Sequence, residues 1–362
     1  MLELRLTQRF DAFTLDVAFS APAGVTALFG RSGSGKTTIV NALAGLLRPD
    51  AGRIALDGTV LFDAAARVNI PPHRRRIGYV FQDARLFPHL TVQQNLLFGR
   101  RFAPKPEAGA DRCRIIELLG LGPLLQRRPG ALSGGEKQRV AMGRAILSNP
   151  RLLLMDEPLA ALDAPRKAEI LTYLERLRDE TALPILYVSH SVAEVARLAT
   201  TLVLIENGRV MRSGPAEQIM ADPDAAPEMG LREAGALVTA RLAAHDDDGL
   251  SRLDTDAGPV WLPHVEGAIG APIRLRILAQ DVMLALEPPR AISALNVLPA
   301  TVCEIRQGDG PGALVQLAVG DSRLLARITA RSAKALELHP GARVFAVIKA
   351  VSVARDSIAE AR

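Results

Sequence analysis

The sequence has few cysteines, few aromatic residues and no long apolar run, and each shortage excludes a class of protein. Its 362 residues include only two cysteines, Cys113 and Cys303, which is too few for a disulfide scaffold or a cysteine-rich zinc site. We expect both to be small buried side chains in a reducing compartment. No stretch reaches the roughly 18–20 apolar residues of a membrane span. Charges among the first ten residues interrupt the apolar core of a signal peptide, so we expect a cytoplasmic protein that meets a membrane only through partners.

Aromatic residues and charge are unevenly distributed along the chain. Aromatics make up 4% of it, and beyond residue 230 only Trp261 and Phe345 remain. Residues 231–362 hold equal numbers of basic and acidic side chains, so the whole net charge of +5 lies in residues 1–230. The densest basic run, His73–Arg76, has no interleaved aromatics, which predicts a solvated face rather than a nucleic-acid contact. This break in composition indicates a domain boundary near residue 230.

The first part of the chain has the pattern of an α/β domain. A composition of 48% hydrophobic and 23% charged residues is typical of globular proteins. The length of 362 residues is enough for two or three domains. Amphipathic segments such as Thr38–Leu47 and Lys167–Leu177 predict helices. Four short apolar runs predict strands buried on both faces: Val25–Phe29, Leu152–Met155, Ile185–Val188 and Leu202–Ile205. Strands that alternate with helices predict a mostly parallel sheet.

The last part of the chain has the pattern of a small, closed or sandwich-like antiparallel β domain. Ala221–Pro227 predicts a linker, and Gly308–Gly312 predicts a tight turn. Ile273–Leu278 and Ala313–Val319 alternate apolar and polar residues, as strands with one buried face do. We therefore predict three regions: the α/β domain at 1–230, a linker and first strands at 231–290, and an all-β domain at 291–356.

A phosphate-binding loop lies between the first of these buried strands and the helix that follows it. The loop matches the pattern G-x-x-x-x-G-K-[ST] at every fixed position, and its strand and helix give it the required setting. Its glycines let main-chain N–H groups surround a phosphate at the helix N-terminus. Lys36 can reach the β- and γ-phosphates, and the Thr37 hydroxyl can bind Mg²⁺. The residues predicted to bind nucleotide here are Gly30, Arg31, Ser32, Gly33, Ser34, Gly35, Lys36, Thr37 and Thr38.

Two further motifs carry chemistry. Asp156 and Glu157 follow four apolar residues, which places two carboxylates at the end of a buried strand, where α/β sheets bind ligands. Asp156 can hold Mg²⁺, and Glu157 can act as the general base toward an attacking water. Leu132–Arg139 contains a serine and two glycines at a helix start, a second anion site. Ser133 and Glu136 also fit a capping box, and both interpretations can hold together.

Together these motifs resemble the ATPase subunit of an ABC transporter, over the whole of the first 230 residues. The matching features are the phosphate loop, Gln82 within Val80–Asp83, Leu132–Arg139, Asp156–Glu157, Ala161–Asp163 and His190. The resemblance implies ATP and Mg²⁺ as cofactors and a head-to-tail dimer of two copies. In that dimer Ser133 and Gly135 of one copy would grip the γ-phosphate held by the other copy's loop.

The resemblance also implies roles for single residues. Gln82 would contact Mg²⁺ and the lytic water and report the nucleotide state to a membrane permease. His190 would contact the γ-phosphate, and Asp163 the opposite subunit. Phe10 is the candidate for stacking on the adenine, with Phe13 as the alternative, although either position also suits a core aromatic.

The C-terminal part resembles a Mop domain, a small OB-like β module that binds molybdate or tungstate. Ile292–Leu298 is similar to the start of that module, and Phe345–Ser352 to its end. The predicted oxyanion ligands are Ser293, Asn296 and Lys349. Leu295 stands where the module usually has arginine, so a purely structural, dimer-forming role stays open beside oxyanion binding.

Over its whole length the chain resembles the ATPase of a molybdate importer. That resemblance implies that ATP hydrolysis drives import of molybdate, or tungstate, through a membrane permease. A binding protein outside the membrane would deliver the oxyanion to that permease. The chain would lie at the cytoplasmic face of the inner membrane. The alternatives are importers of sulfate, polyamine, iron or sugar. A soluble ABC protein of translation or DNA repair fits less well, because the chain has one signature and Leu132 follows Lys36 by only 96 positions.

Overall fold

The computed structural model describes residues 1–11, 13–99, 112–160, 162–181, 183–308, 310–353 and 358–360. Ala161 of the family resemblance and Asp309 of the predicted turn lie outside these residues. The chain forms two compact units, Met1–Ser213 and Gly214–Arg362.

The first unit is built on one large mixed sheet. Its strands and helices, with β11 continuing to Pro215, are β1 (Leu2–Phe10), β2 (Phe13–Ala21), β3 (Val25–Phe29), α1 (Lys36–Ala44), β4 (Ala51–Leu56), β5 (Thr59–Asp63), β6 (Val68–Asn69), β7 (Ile77–Val80), α2 (Val92–Phe98), α3 (Arg112–Leu118), α4 (Gly134–Leu147), β8 (Leu152–Asp156), α5 (Ala164–Glu180), β9 (Ile185–Ser189), α6 (Val192–Leu198), β10 (Thr201–Glu206) and β11 (Arg209–Pro215).

The order of the eleven strands is β6-β5-β4-β1-β2-β11-β10-β3-β9-β8-β7. The four predicted apolar runs form β3, β8, β9 and β10, and these four strands pair in parallel with one another, β10 with β3, β3 with β9 and β9 with β8. Their side chains are buried on both faces because helices cover the sheet. The sheet is mixed rather than mostly parallel, because β1, β2, β4, β5 and β6 pair antiparallel at one side.

One residue of the basic run is not solvated. Arg74 and Arg76 are exposed as expected, but the prediction is wrong for Arg75, which is 1% exposed. Its guanidinium donates hydrogen bonds of 2.6–2.9 Å to the main-chain oxygens of Ala42, Leu43 and Ile70 and to Asn69 Oδ1. Two of these oxygens end α1, where helix carbonyls have no partner within the helix. Arg75 therefore caps the C-terminus of the helix that begins at the phosphate loop.

The described residues of the second unit form β-strands and three short α-helices. Its elements are α7 (Ala216–Met220), α8 (Ala226–Met229), β12 (Gly235–His245), β13 (Leu250–Thr255), β14 (Gly258–Pro263), β15 (Pro272–Leu278), β16 (Val282–Ala285), β17 (Asn296–Gln307), β18 (Gly312–Val319), β19 (Ser322–Thr329), α9 (Ala330–Ala335), β20 (Arg343–Ile348) and β21 (Ile358–Glu360).

Two five-stranded antiparallel sheets make up this unit, in the orders β14-β13-β12-β15-β21 and β16-β20-β17-β18-β19. Their apolar faces share one core. The segment Ala221–Pro227 is not the predicted linker: Ala221 and Ala226 are fully buried within the second unit. Because this segment packs there, the unit begins at Gly214 rather than near residue 231.

The two cysteines are less buried than the sequence analysis predicts. Cys113 is exposed and Cys303 is partly buried. The prediction that both are core side chains is therefore wrong. Cys113 lies on α3 beside two further exposed residues, Arg114 and Glu117, so this face of the helix is directed to solvent.

Candidate functional site

The phosphate loop joins β3 to α1 and leaves the start of that helix open. Gly35 precedes α1 with a φ of 101°, a conformation that favours glycine. A Cβ at Gly35 would lie 2.6 Å from the Leu15 side chain, so the position also lacks space for any other residue. Among the described residues no side chain caps α1. Its first N–H groups therefore face the loop, where an anion would be bound.

Two buried polar groups in this loop fit a phosphate. Lys36 is buried, and its Nζ donates to Gly30 O at 2.7 Å and to Arg31 O at 2.9 Å. Burial lowers the pKa of Lys36, and the carboxylates of Glu157 and Asp156 oppose this shift. The buried Ser34 Oγ has no hydrogen-bond partner within the described structure. A buried hydroxyl without a partner is costly, and a phosphate oxygen in the loop would supply one.

Asp156 ends β8 beside the loop, and two hydroxyls lie near its carboxylate. Thr37 Oγ1 is 3.5 Å from Oδ1, and the Tyr79 hydroxyl is 3.4 Å from Oδ2. Burial raises the pKa of Asp156, and hydrogen bonds from these hydroxyls oppose the rise. Burial and the charge of Asp156 raise the pKa of Tyr79, so its hydroxyl keeps its proton. A hydroxyl and a carboxylate are the hard oxygen ligands that Mg²⁺ prefers.

Tyr79 is a site residue that the motif analysis missed. It lies on β7, where its ring stacks on Phe81 at a centroid distance of 3.9 Å, immediately before Gln82. The two aromatics are two residues apart, the spacing that places side chains on one face of a strand. That spacing is the sequence signal by which Tyr79 could have been found.

Glu157 and His190 face each other at the ends of two neighbouring strands. His190 Nδ1 lies 3.3 Å from Glu157 Oε2, and the side chains are 57% and 22% exposed respectively. Glu157 has a φ of 44°, in the left-handed region that non-glycine residues seldom adopt. Its N–H donates to Val188 O at 3.1 Å, which ties the end of β8 to the neighbouring strand β9. The structure thus brings the predicted general base and the predicted γ-phosphate contact together.

Gln82 is exposed, and the loop that follows it is held by α4. Gln138 Nε2 donates to Phe81 O at 3.2 Å. The Arg144 guanidinium donates to Arg85 O at 2.9 Å and to Ala84 O at 3.2 Å. Burial lowers the pKa of Arg144, although arginine stays charged. The contacts of Arg144 were not foreseen, because Ala84 O and Arg85 O lie outside the motifs, as does Arg144 itself.

Ser133 and Gly135 lie on another element, at the start of α4. Ser133 Oγ accepts from the Glu136 N–H at 3.3 Å, and Glu136 Oε2 accepts from the Ser133 N–H at 2.6 Å. The capping box is therefore present. The bond from the Ser133 N–H is the main cause that lowers the pKa of Glu136. Asp163 likewise caps α5, accepting from the Arg166 N–H at 3.0 Å.

Of the two aromatic candidates near the loop, Phe10 has the more open ring. It is 45% exposed and stacks on Phe13 at a centroid distance of 6.3 Å. Phe13 is half-buried, and its ring would lie 3.4 Å from a Cβ placed on Gly35. Phe13 thus packs behind the loop, while Phe10 offers a free face.

The three predicted oxyanion ligands differ in their surroundings. Ser293 and Lys349 are exposed, whereas Asn296 is fully buried. Asn296 Oδ1 accepts from the Trp261 N–H at 2.7 Å, and Nδ2 donates to Trp261 O at 3.0 Å. This pair of bonds joins β17 to β14. An oxyanion contact by Asn296 would require these bonds to rearrange. Asn296 pairs with Ile348 in the sheet, which places Lys349 one residue away from that pair.

Comparisons with known proteins agree with this arrangement. Residues 15–160 match the ABC transporter family, and residues 292–354 match the TOBE domain. The molybdenum import ATP-binding protein ModC of Mesorhizobium japonicum is 53% identical over 348 residues, covering 96% of this chain and 94% of that protein. ModC of Paramagnetospirillum magneticum is 51% identical over 360 residues and 99% of both chains.

Among solved structures, cbiO1 from Clostridium perfringens, part of the ABC transporter complex cbiONQ, covers 64% of this chain and 94% of its own. It has a TM-score of 0.52 and 27% identity. The ATP-binding cassette MJ1267 in its ADP conformation covers 62% of this chain and 96% of its own, with a TM-score of 0.51 and 26% identity. Within the described residues, no helix is both long and apolar enough to cross a bilayer.

Proposed function

Because the chain belongs to the family of molybdenum import ATP-binding proteins of ABC transporters, we propose that its ATP hydrolysis drives molybdate import through a partner permease. The observation that carries this proposal is the cluster beside the phosphate loop. There Thr37 and Asp156 lie side by side, and Glu157 and His190 lie 3.3 Å apart. A phosphate cradle, a hard-ligand pair and a paired carboxylate are the parts that phosphoryl transfer to water needs.

The chain's own residues divide this work. The N–H groups of the loop, Ser34 Oγ and Lys36 hold the phosphates. Glu157 takes a proton from the attacking water as the new bond to the γ-phosphorus forms and the bond to the bridging oxygen breaks, leaving ADP and phosphate. His190 orients Glu157 and contacts the γ-phosphate. When bound, Mg²⁺ neutralises charge on the phosphate oxygens, and Thr37, Asp156 and Gln82 are the residues that would hold it.

Two copies of the chain act together in this proposal. Ser133 and Gly135 of one copy meet the nucleotide held by the other copy, and Asp163 contacts the opposite subunit. Residues 83–92 after Gln82 are apolar for a loop, and α4 supports them through Arg144. In this proposal they dock on the permease at the cytoplasmic face of the membrane. ATP binds the closed dimer more tightly than the open one, and this difference in affinity drives the transport step.

The substitution Glu157→Gln tests the catalytic assignment. The variant is expected to bind ATP and to accumulate as a closed dimer, seen by light scattering. Its hydrolysis should fall by about 10²–10⁴-fold, the usual contribution of a general base. Glu117→Gln, an exposed carboxyl on α3, is the matched control and should hydrolyse ATP normally. A Glu157→Gln variant that turns over ATP at the wild-type rate would falsify the assignment.

We also propose that the second unit binds the transported oxyanion through Ser293 and Lys349. Both are exposed, and a lysine with hydroxyl and N–H donors suits a tetrahedral dianion. Calorimetric titration of the full chain with molybdate, tungstate and sulfate tests this. Lys349→Met should weaken molybdate binding, Lys334→Met on α9 should not, and Leu295→Arg should strengthen it. If none of the three anions binds, the proposed oxyanion site is refuted and the second unit has a structural role.

A further inference from the structure

A group of buried polar side chains lies behind His190 and takes no part in the proposed chemistry. Glu194, in the first turn of α6, is 6% exposed. Its Oε2 accepts a hydrogen bond of 2.9 Å from the Tyr187 hydroxyl and one of 2.7 Å from the Ser189 hydroxyl. Tyr187 and Ser189 are themselves buried on β9. A buried carboxylate is costly unless hydrogen-bond donors or cations satisfy it, and here two buried hydroxyls donate to it.

Hydrogen bonds among Ser189, Ser191 and Glu194 enclose His190. The Ser189 hydroxyl donates to Glu194 and accepts, at 3.0 Å, from the Ser191 N–H. Ser191 Oγ in turn accepts from the Glu194 N–H at 3.4 Å. The main chain on both sides of His190 is therefore tied to the same glutamate. His190 itself is left with its ring directed to Glu157 at 3.3 Å.

We propose that Glu194 is a positioning residue that fixes the turn 189–191 so that the His190 ring meets Glu157. The inference rests on the proposed role of His190. Ser189 is the link: its hydroxyl donates a hydrogen bond to the Glu194 carboxylate and its oxygen accepts one from the Ser191 N–H, so Glu194 fixes the orientation of the hydroxyl that holds Ser191. The other carboxylate oxygen, Oε1, lies 3.9 Å from Lys167 Nζ on the neighbouring helix α5.

The conservative variant separates acceptor geometry from charge. Glutamine at 194 keeps one oxygen that can accept from Ser189 and Tyr187, so Glu194→Gln should retain the turn. Glu194→Ala removes the acceptor and leaves two buried hydroxyls to find other partners. Ser189→Ala is a milder change, because it removes only the link between Glu194 and Ser191 and leaves little empty volume. It keeps the test usable if Glu194→Ala unfolds.

The experiment combines ATP hydrolysis with the ring signal of His190. The full chain, labelled with ¹³C at histidine Cε1, gives at most six ring signals, and His190→Ala identifies one of them. The control is Glu175→Gln. Glu175 is another buried carboxylate and bonds Arg197 of α6 at 2.7 and 2.9 Å without touching the turn. The melting temperature is measured for every variant.

Glu194→Ala and Ser189→Ala are expected to shift the His190 signal alone and to lower kcat by roughly ten- to a hundredfold, the effect of a misplaced catalytic group. The KM for ATP should stay near the wild-type value. Glu194→Gln should restore both signal and rate, while Glu175→Gln should lower the melting temperature without either effect. An unmoved His190 signal, or an equal loss of kcat in Glu175→Gln, would overturn the inference. A wild-type rate in His190→Ala would instead overturn the proposed role of His190.

Discussion

Replacing Arg75 by methionine removes the cap of the phosphate-loop helix and keeps most of the apolar volume of the side chain. Arg75 is 1% exposed and donates four hydrogen bonds of 2.6–2.9 Å to oxygens of Ala42, Leu43, Ile70 and Asn69. None of these acceptors is charged. Ala42 O keeps the Gly45 N–H as a donor at 3.2 Å. The substitution therefore removes the guanidinium donor from Leu43 O and Ile70 O, and it leaves no buried charge without its counter-ion.

The expected loss of stability follows from these bonds. An acceptor that stays buried without a donor costs about 1–3 kcal/mol. Removing the guanidinium returns part of that cost, because burying a cation is itself unfavourable by several kcal/mol. We expect a net loss of about 3 kcal/mol for Arg75→Met, within the range of broken buried networks. In a unit of this size each kcal/mol shifts the melting temperature by about 2–4 °C, so the shift should be about 6–12 °C.

Differential scanning calorimetry measures this shift. The transition of the first unit is the one that nucleotide raises by mass action, which separates it from that of the second unit. Arg74→Met is the matched control, because Arg74 is the exposed neighbour and surface changes cost within about 0.5 kcal/mol. If Arg75→Met melts within about 2 °C of the wild type, the capping argument is refuted.

Two other predictions concern the nucleotide site and α4. Tyr79→Phe keeps the ring stack on Phe81 and removes the hydroxyl that lies 3.4 Å from Asp156. The Mg²⁺ concentration for half-maximal ATPase activity should therefore rise roughly tenfold. An unchanged Mg²⁺ titration would contradict this prediction. The pKa of Glu136 is lowered below 4.5, so its stabilising effect is full above that pH and is lost as pH falls through the lowered pKa. The melting difference between wild type and Glu136→Gln should therefore shrink below about pH 4.5, and a difference constant with pH would refute a stabilising effect of the Glu136 charge, because glutamine keeps the capping acceptor.

The parts of the fold that could be predicted are those specified by local pattern. The apolar runs at β3, β8, β9 and β10 are confirmed, because strands buried on both faces need continuous apolar residues. The loop between β3 and α1 was found for the same reason: its glycines and Lys36 are adjacent in sequence. The family assignment rests on several such local motifs in a fixed order.

The parts that could not be predicted depend on residues distant in sequence. Arg75 resembles its exposed neighbours until the fold brings the end of α1 onto it, 32 and 33 positions away. The segment Ala221–Pro227 has the composition of a linker, but its small alanines suit close packing in the second unit. Asn296 was predicted from its sequence position to be an oxyanion ligand. Its side-chain amide instead forms hydrogen bonds with the main chain of Trp261, and only the arrangement of the strands in the fold reveals this.

The left-handed backbone at Glu157 has a consequence for evolution and for engineering. A non-glycine residue at a φ of 44° costs of the order of 1 kcal/mol that glycine would not incur. Selection for heat resistance alone would therefore favour glycine or asparagine at position 157 and would discard the proposed general base. A variant library screened only by melting temperature is therefore expected to enrich substitutions of Glu157 that raise stability and lose ATP hydrolysis.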